Sequence, residues 1–244
     1  MIPRPGHWLA GGLLLLSAWA PSIAHAGAEE PYPAFRAEYE VRVNGIRAGR
    51  SEVSLQALDN GEYLYRQASE STGIASLFGK QTAEQRSRWV LVNGRPRPLE
   101  FVSRREKGDD DDNAHLRFDW CARRVRNVGA GEHWDIPMPE YSLDSLLMQL
   151  AILFDLRDGL RNLSYPVATR GRIKTYRFKV EGREVLKLPL GEFDTLRLRR
   201  TDDARDVSLI WSAPALDYFP VRFEKRKKSG LRTELRLRTL EFRR

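Results

Sequence analysis

Phe35-Arg36-Ala37-Glu38-Tyr39-Glu40-Val41-Arg42-Val43-Asn44-Gly45 alternates apolar and charged side chains before ending in a turn dipeptide. A strand points successive side chains to opposite faces, so Phe35, Ala37, Tyr39, Val41 and Val43 share one face and Arg36, Glu38, Glu40 and Arg42 the other. Asn44-Gly45 accepts the two positive φ angles of a tight hairpin, so the chain is expected to fold back and pair with this strand.

The same alternation recurs at Val53 to Leu55, Tyr63 to Tyr65, Ser87 to Leu91, Leu99 to Ser103 and Leu116 to Trp120, separated by Asp59-Asn60-Gly61 and Asn93-Gly94. It resumes at Tyr176 to Val180, Val185 to Leu188, Leu196 to Leu198, Val207 to Trp211, Val221 to Phe223 and Leu231 to Leu240. About a dozen closely spaced strands with Asn, Asp and Gly turns predict an antiparallel meander in place of βαβ units. Ser142 to Arg157 breaks the pattern: Leu143, Leu146, Leu147, Leu150, Ile152, Leu153 and Phe154 recur at helical spacing, after Ser142 or Asp144 as N-cap and before Gly159. A lone helix with so broad an apolar face is expected in the concave side of a curled sheet, with a cavity remaining where the helix does not fill the curve.

Composition sets the outer limits. The chain has 244 residues, 41% apolar and 30% charged, with 41 Lys and Arg against 33 Asp and Glu, four His and one Cys. These values exclude a disordered tail, a disulfide scaffold and a cysteine-rich zinc module. Arg4, the apolar run Leu9 to Ala20, Pro21 and Ala24-His25-Ala26 together read as a signal peptide cleaved after Ala26. The expectation is a periplasmic protein with one β-rich domain over residues 27–244, in which Cys121 has no partner for an intramolecular disulfide.

Catalytic patterns are sparse. His115 and His133 have no metal-ligand spacing, and Ser142, Asp144 and Ser145 lack a nucleophile elbow and fit a helix start. Asp109-Asp110-Asp111-Asp112-Asn113 lacks the calcium-loop pattern and reads as a solvated hairpin tip. No catalytic residue, metal or cofactor is assigned.

Charge is concentrated at the C-terminus. Residues 222–244 hold ten Lys and Arg, among them Lys225, Arg226, Lys227, Lys228, Arg232, Arg236 and Arg238, against Glu224, Glu234 and Glu241. In an exported protein such a stretch suits anionic headgroups, envelope polymers or the membrane surface, with nucleic acid excluded by compartment. Arg197, Arg199 and Arg200 are expected to extend it if their strand neighbours the C-terminal pair. The candidate lining of an apolar cavity is Trp89, Phe101, Phe118, Leu147, Tyr176, Phe178 and Trp211, from an aromatic set that also includes Trp120, Trp134 and Phe223.

Trp211-Ser212-Ala213-Pro214-Ala215-Leu216-Asp217-Tyr218-Phe219-Pro220-Val221-Arg222 resembles the W-x-A-P-x-x-x-Y-x-P-V-R signature of bacterial exported proteins carrying domain of unknown function 3108. Tyr39-Glu40-Val41 with Gly49, Asp144-Ser145-Leu146, Tyr176-Arg177-Phe178, Leu188-Pro189-Leu190-Gly191 and Thr195 fit in order, so the resemblance runs from about Phe35 to Leu240. It implies a periplasmic, mainly antiparallel β protein of unassigned activity, similar to the incomplete barrels of lipoprotein-carrier domains. The residues themselves predict that Pro214 and Pro220 make a rigid turn at a sheet margin, with Asp217 capping backbone amides in it. The expected function is non-enzymatic binding of a lipid or other apolar anionic ligand. The alternatives are an interaction module for envelope proteins and, less favoured, an envelope hydrolase.

Overall fold

The computed structural model describes residues 32–73, 81–106, 113–129 and 132–243. These hold β1 (Ala34–Val43), β2 (Ile46–Ala57), β3 (Tyr63–Ser71), β4 (Thr82–Val92), β5 (Arg95–Arg105), β6 (Ala114–Asp119), β7 (Arg124–Asn127), β8 (Trp134–Pro137), α1 (Leu147–Arg157), β9 (Asn162–Thr169), β10 (Arg172–Leu188), β11 (Gly191–Arg200), β12 (Val207–Ala213), β13 (Phe219–Arg226) and β14 (Arg232–Arg243). The leader with its cleavage after Ala26 and the run Asp109 to Asp112 lie outside the described residues.

All fourteen strands form one sheet in the order β8-β7-β6-β5-β4-β3-β2-β1-β14-β13-β12-β11-β10-β9. Two meanders are thus joined where β1 pairs with β14. The predicted curled antiparallel sheet with one main helix is the observed architecture. Asn44-Gly45, at φ 50° and 83°, closes the β1–β2 hairpin as expected, and Asn93-Gly94 does the same for β4–β5. Gly49 matters for a different reason, because a Cβ there would lie 2.4 Å from the Glu70 carbonyl oxygen on β3.

Sheet order explains the helix position. The connection from β8 to β9 begins at one end of the sheet and finishes at the other, so it has to cross the concave side. On that path Leu143 makes a parallel bridge to Val167 and satisfies part of the β9 edge, its amide donating to the Pro166 carbonyl at 2.9 Å. β8 and β9 do not pair, so the sheet stays open, but the Trp134 ring on β8 packs 3.6 Å from the Cβ position of Gly171 in the β9–β10 turn. In α1, Leu147, Leu150, Ala151, Ile152, Leu153, Phe154 and Leu156 are all buried, as an enclosed helix requires.

Three details differ from the sequence expectation. The helix is shorter than Ser142 to Arg157: Asp144 to Leu146 form a lead-in turn, with Asp144 as its capping side chain. Tyr176 to Val180 and Val185 to Leu188 are one strand, β10, because a bulge between Val180 and Gly182 lets the chain continue where Glu181-Gly182 suggests a break. Pro220 lies in β13 and not in the turn itself, opposite Ser212 on β12 and ahead of the β13–β14 register, which begins at Arg222.

One end of the curl is closed by aromatics. Tyr32 stacks on Phe154 at 6.2 Å and meets Phe35 edge-on at 5.9 Å, and Phe35 meets Phe219 at 5.0 Å. Nearby, the buried Tyr39 hydroxyl donates to the Pro220 carbonyl at 2.7 Å, tying β1 to β13 across β14. Tyr39→Phe removes that donor and leaves a buried carbonyl short of a partner, at an expected cost of about 1–2 kcal/mol in urea unfolding.

Candidate functional site

A cavity of about 260 Å³ lies between α1 and the strands β1–β3 and β10–β14. Alternation on each strand brings one inward-facing set to it: Phe35 and Tyr39 from β1, Val53 from β2, Tyr65 from β3, Tyr176 and Phe178 from β10, Phe223 from β13. Met148, Ile152 and Leu153 supply the helical wall. The lining is predominantly apolar, with uncharged polar groups from Gln67, Gln149 and Ser208 and charged groups from Arg200, Glu224 and Lys225.

Each of those charges has an opposite charge beside it. Arg200 makes two hydrogen bonds to Asp202, at 2.9 and 2.7 Å, while its guanidinium stacks 4.2 Å from the Tyr176 ring centre. Lys225 Nζ lies 3.3 Å from Asp206. Glu224 accepts from Arg222, Arg226 and Arg232 at 2.5–2.7 Å.

Of the aromatic and apolar candidates, Tyr176 and Phe178 line this cavity, as does Phe223 from the wider set. Trp89 is fully buried, stacked 4.5 Å from Tyr63 and edge-on to Phe154, and its indole N–H has no partner among the described residues. Leu147 is buried in the core, and Phe118 stacks on Trp120 at 6.2 Å. Phe101 lines a separate, more polar cavity of about 230 Å³ beside Trp134 and Arg170. Trp211 faces neither cavity. The lining residues Phe35, Tyr39, Tyr65, Met148, Ile152, Leu153 and Phe219 were not cavity candidates in the sequence reading, although β1 alternation and helical spacing mark Phe35, Tyr39, Ile152 and Leu153 as inward-facing.

Of the basic candidates, Lys225 borders the cavity, whereas Arg226, Arg232, Arg236 and Arg238 gather on the convex side round Glu40, Glu224 and Glu234, of which Glu224 also borders the cavity. Glu40, Glu224 and Glu234 are only 4, 3 and 2% exposed, because arginines close over them. Glu40 pairs with Arg42 and Arg238, Glu234 with Arg222 and Arg236, and Arg232 reaches both Glu224 and Glu234. Arg226 is held by Glu224. Burial pushes the Glu224 carboxyl up, but hydrogen bonds from Arg232 and Arg226 outweigh it and hold the group below the ordinary carboxylate range. Lys227 and Lys228 are exposed in the β13–β14 turn. Arg197 and Arg199 lie on β11, next to β12 and away from β14, and pair with Glu181.

The Trp211-to-Arg222 segment builds part of the same face. Arg222 covers the Trp211 ring at 4.4 Å, and the indole N–H donates to Glu184 at 2.8 Å. Pro214 opens a 3-10 turn over Pro214–Leu216, and Asp217 and Tyr218 follow at φ 54° and 60°. Asp217 does not cap amides. Its carboxylate pairs with Arg157 at the end of α1, and its carbonyl accepts from Tyr32, because the left-handed turn aims it at the helix.

The groups that could suggest catalysis have structural partners. Ser87 donates at 2.6 Å to Asp144, whose other oxygen accepts from the Leu146 and Leu147 amides at 2.9 and 2.8 Å. Burial raises the Asp144 pKa to about 6, with those hydrogen bonds opposing it. His115 contacts Glu100 at 2.5 Å, and His133 lies 3.4 Å from the Asn127 carbonyl. Among the described residues no group of three His, Cys, Asp or Glu could hold a metal ion, and no helix is long and apolar enough to cross a membrane.

No curated protein matches the chain. Among solved structures, it is similar to the beta-barrel-like protein of domain of unknown function DUF1849 from Brucella abortus, at 8% identity and a TM-score of 0.54, covering 87% of this chain and 98% of that one. This shows a shared fold. A second similarity, to a "putative lipoprotein" from Parabacteroides distasonis, has 9% identity and a TM-score of 0.31 over 86% of this chain and 96% of that one. The model of the family described as Protein of unknown function (DUF3108) matches residues 38–236, which include the whole segment from Trp211 to Arg222, and the chain belongs to that family.

Proposed function

We propose that this chain is a non-enzymatic binding protein of the cell envelope that holds the apolar part of a lipid-like ligand between α1 and the strands β1–β3 and β10–β14. The observation that carries the reading is the cavity of about 260 Å³ with its predominantly apolar lining. At ~30 Å³ for a group the size of a water molecule or methylene, it takes on the order of nine such groups. A well-packed core holds few voids larger than a water molecule, so a space this size beside a helix that the sheet otherwise encloses is a binding-site feature.

The pattern from Arg4 to Ala26 supports export to the periplasm. Lys227 and Lys228 extend the reading to peripheral contact with an anionic membrane surface, while most of the nearby arginines are committed to Glu40, Glu224 and Glu234.

Binding of an environment-sensitive naphthylamine dye tests the proposal. Saturable one-to-one binding is expected. Ser208→Trp, which places a bulky ring in the lining, is expected to weaken it at least tenfold with the Tm little changed. An absence of saturable binding, or equal binding by the variant, contradicts the reading.

A further inference from the structure

Resting on the reading of this cavity as a ligand site, we infer that its ligand is an acyl compound whose polar end is uncharged and hydrogen-bonding, such as a monoglyceride, and neither a fatty acid nor a cationic amphiphile. The polar lining divides into ions already committed to counter-ions and uncharged groups that remain open.

Arg200 is the cation best placed to receive a carboxylate, since it lines the cavity beside Tyr176. Its side chain is 10% exposed and is held by Asp202 through two hydrogen bonds, with Asp203 at 3.7 Å. Asp202 also accepts from the Arg177 amide and lies 3.9 Å from Lys174. A fatty-acid headgroup would have to displace Asp202 and strand a poorly solvated carboxylate, a loss comparable to what it gains. The other cation, Lys225, has Asp206 at 3.3 Å. A cationic headgroup finds Glu224 already closed in by Arg222, Arg226 and Arg232. No ion in the lining lacks a counter-ion.

The uncharged groups differ. Among the described residues, the Gln149 amide and the Ser208 hydroxyl make no hydrogen bond, and both reach solvent. Gln67 donates through Nε2 to Ser51 at 3.1 Å, and its Oε1 remains open as an acceptor. These groups come from three elements, α1, β12 and β3, and meet on one cavity. Two amides and a hydroxyl supply both donors and acceptors without fixed charge, which suits hydroxyls, esters or amides on the ligand. A site built to hydrogen-bond such groups disfavours a ligand that leaves them unpaired.

Three probes of matched ten-carbon chain test this on the full chain near pH 7.5 by displacement of a naphthylamine dye: monodecanoylglycerol, decanoate and decyltrimethylammonium. The glyceride is expected to bind at least tenfold more tightly than either ion. Gln149→Leu is expected to weaken the glyceride at least fivefold more than it weakens the dye. Decanoate or the ammonium binding as tightly as the glyceride overturns this inference and leaves the apolar site standing. An unchanged glyceride affinity in Gln149→Leu overturns the placement of the polar end. If neither the dye nor any probe binds, the cavity reading fails and this inference with it.

Discussion

Asp144→Leu is expected to lose about 3–5 kcal/mol of stability, a large part of what a domain usually has. The leucine removes the cap of α1, strands the Leu146 and Leu147 amides and leaves the buried Ser87 hydroxyl without an acceptor. Asp144→Asn behaves in the opposite way. Asparagine keeps an oxygen for both amides, can donate to Ser87, and carries no charge into a fully buried site. Since burial raises the Asp144 pKa from 3.8 to about 6, the asparagine variant is expected to gain about 2–3 kcal/mol above pH 7.

The pH dependence carries a definite sign. A carboxyl with a folded pKa above its unfolded value binds its proton more tightly in the native state, so its contribution improves as pH falls through about 6 towards 4. Glu224 has the reverse behaviour, because its folded pKa is lowered: its stabilisation is full above the ordinary glutamate range and is lost as pH falls through the lowered value. The wild-type chain should therefore gain stability between pH 7 and 5 and lose it at lower pH. Urea midpoints across that range check both arms. In Asp144→Asn the gain between pH 7 and 5 is expected to shrink to the part that burial of the Asp155 carboxyl contributes, while the acid loss persists.

The second large effect is on the convex face. Arg222, like Arg232, reaches both Glu224 and Glu234, residues directly opposite each other on β13 and β14, and it also covers Trp211. Like charges facing across a ladder repel. Arg222→Ala leaves those two carboxylates buried with fewer cations and uncovers the indole, at an expected cost of about 3 kcal/mol, the lower end for breaking a buried pair because Arg222 itself is partly exposed. Adding Glu234→Gln in the same chain should recover more than half of the loss, as measured by a double-mutant cycle. An additive pair would show that the cost comes from the indole and not from charge.

The sheet was legible because its signals are local. Alternation in Phe35 to Val43 and the Asn-Gly turns fixed the face and the hairpin partner before any long-range contact was known. Strands β7, β8 and β9 escaped for equally local reasons. β7 and β8 have four residues each, too short to show a period, and β9 carries Pro166, which weakens a strand reading although an end strand accommodates it. The β9–β10 turn is Arg170-Gly171 at φ 45° and 69°, an αL pair that arginine does not advertise.

The site was less legible, because lining and filling depend on depth. Trp89, Phe178 and Tyr39 all alternate correctly and all point inward, yet two of them border the cavity and the third is packed between Tyr63 and Phe154. The C-terminal cluster shows the converse limit. Its positive residues are plain in the sequence, but Glu40, some 180 to 200 positions away, pairs with Arg238 because β1 lies against β14, and no local pattern reveals that.

The proposed function requires an apolar ligand in the concave cavity. Its most direct test is native mass spectrometry, with lipid extraction, of the chain purified under gentle conditions. A stoichiometric adduct with the mass of an acyl compound, lost in Ser208→Trp, is the predicted result. A clean ligand-free mass that stays unchanged after incubation with monodecanoylglycerol would contradict it.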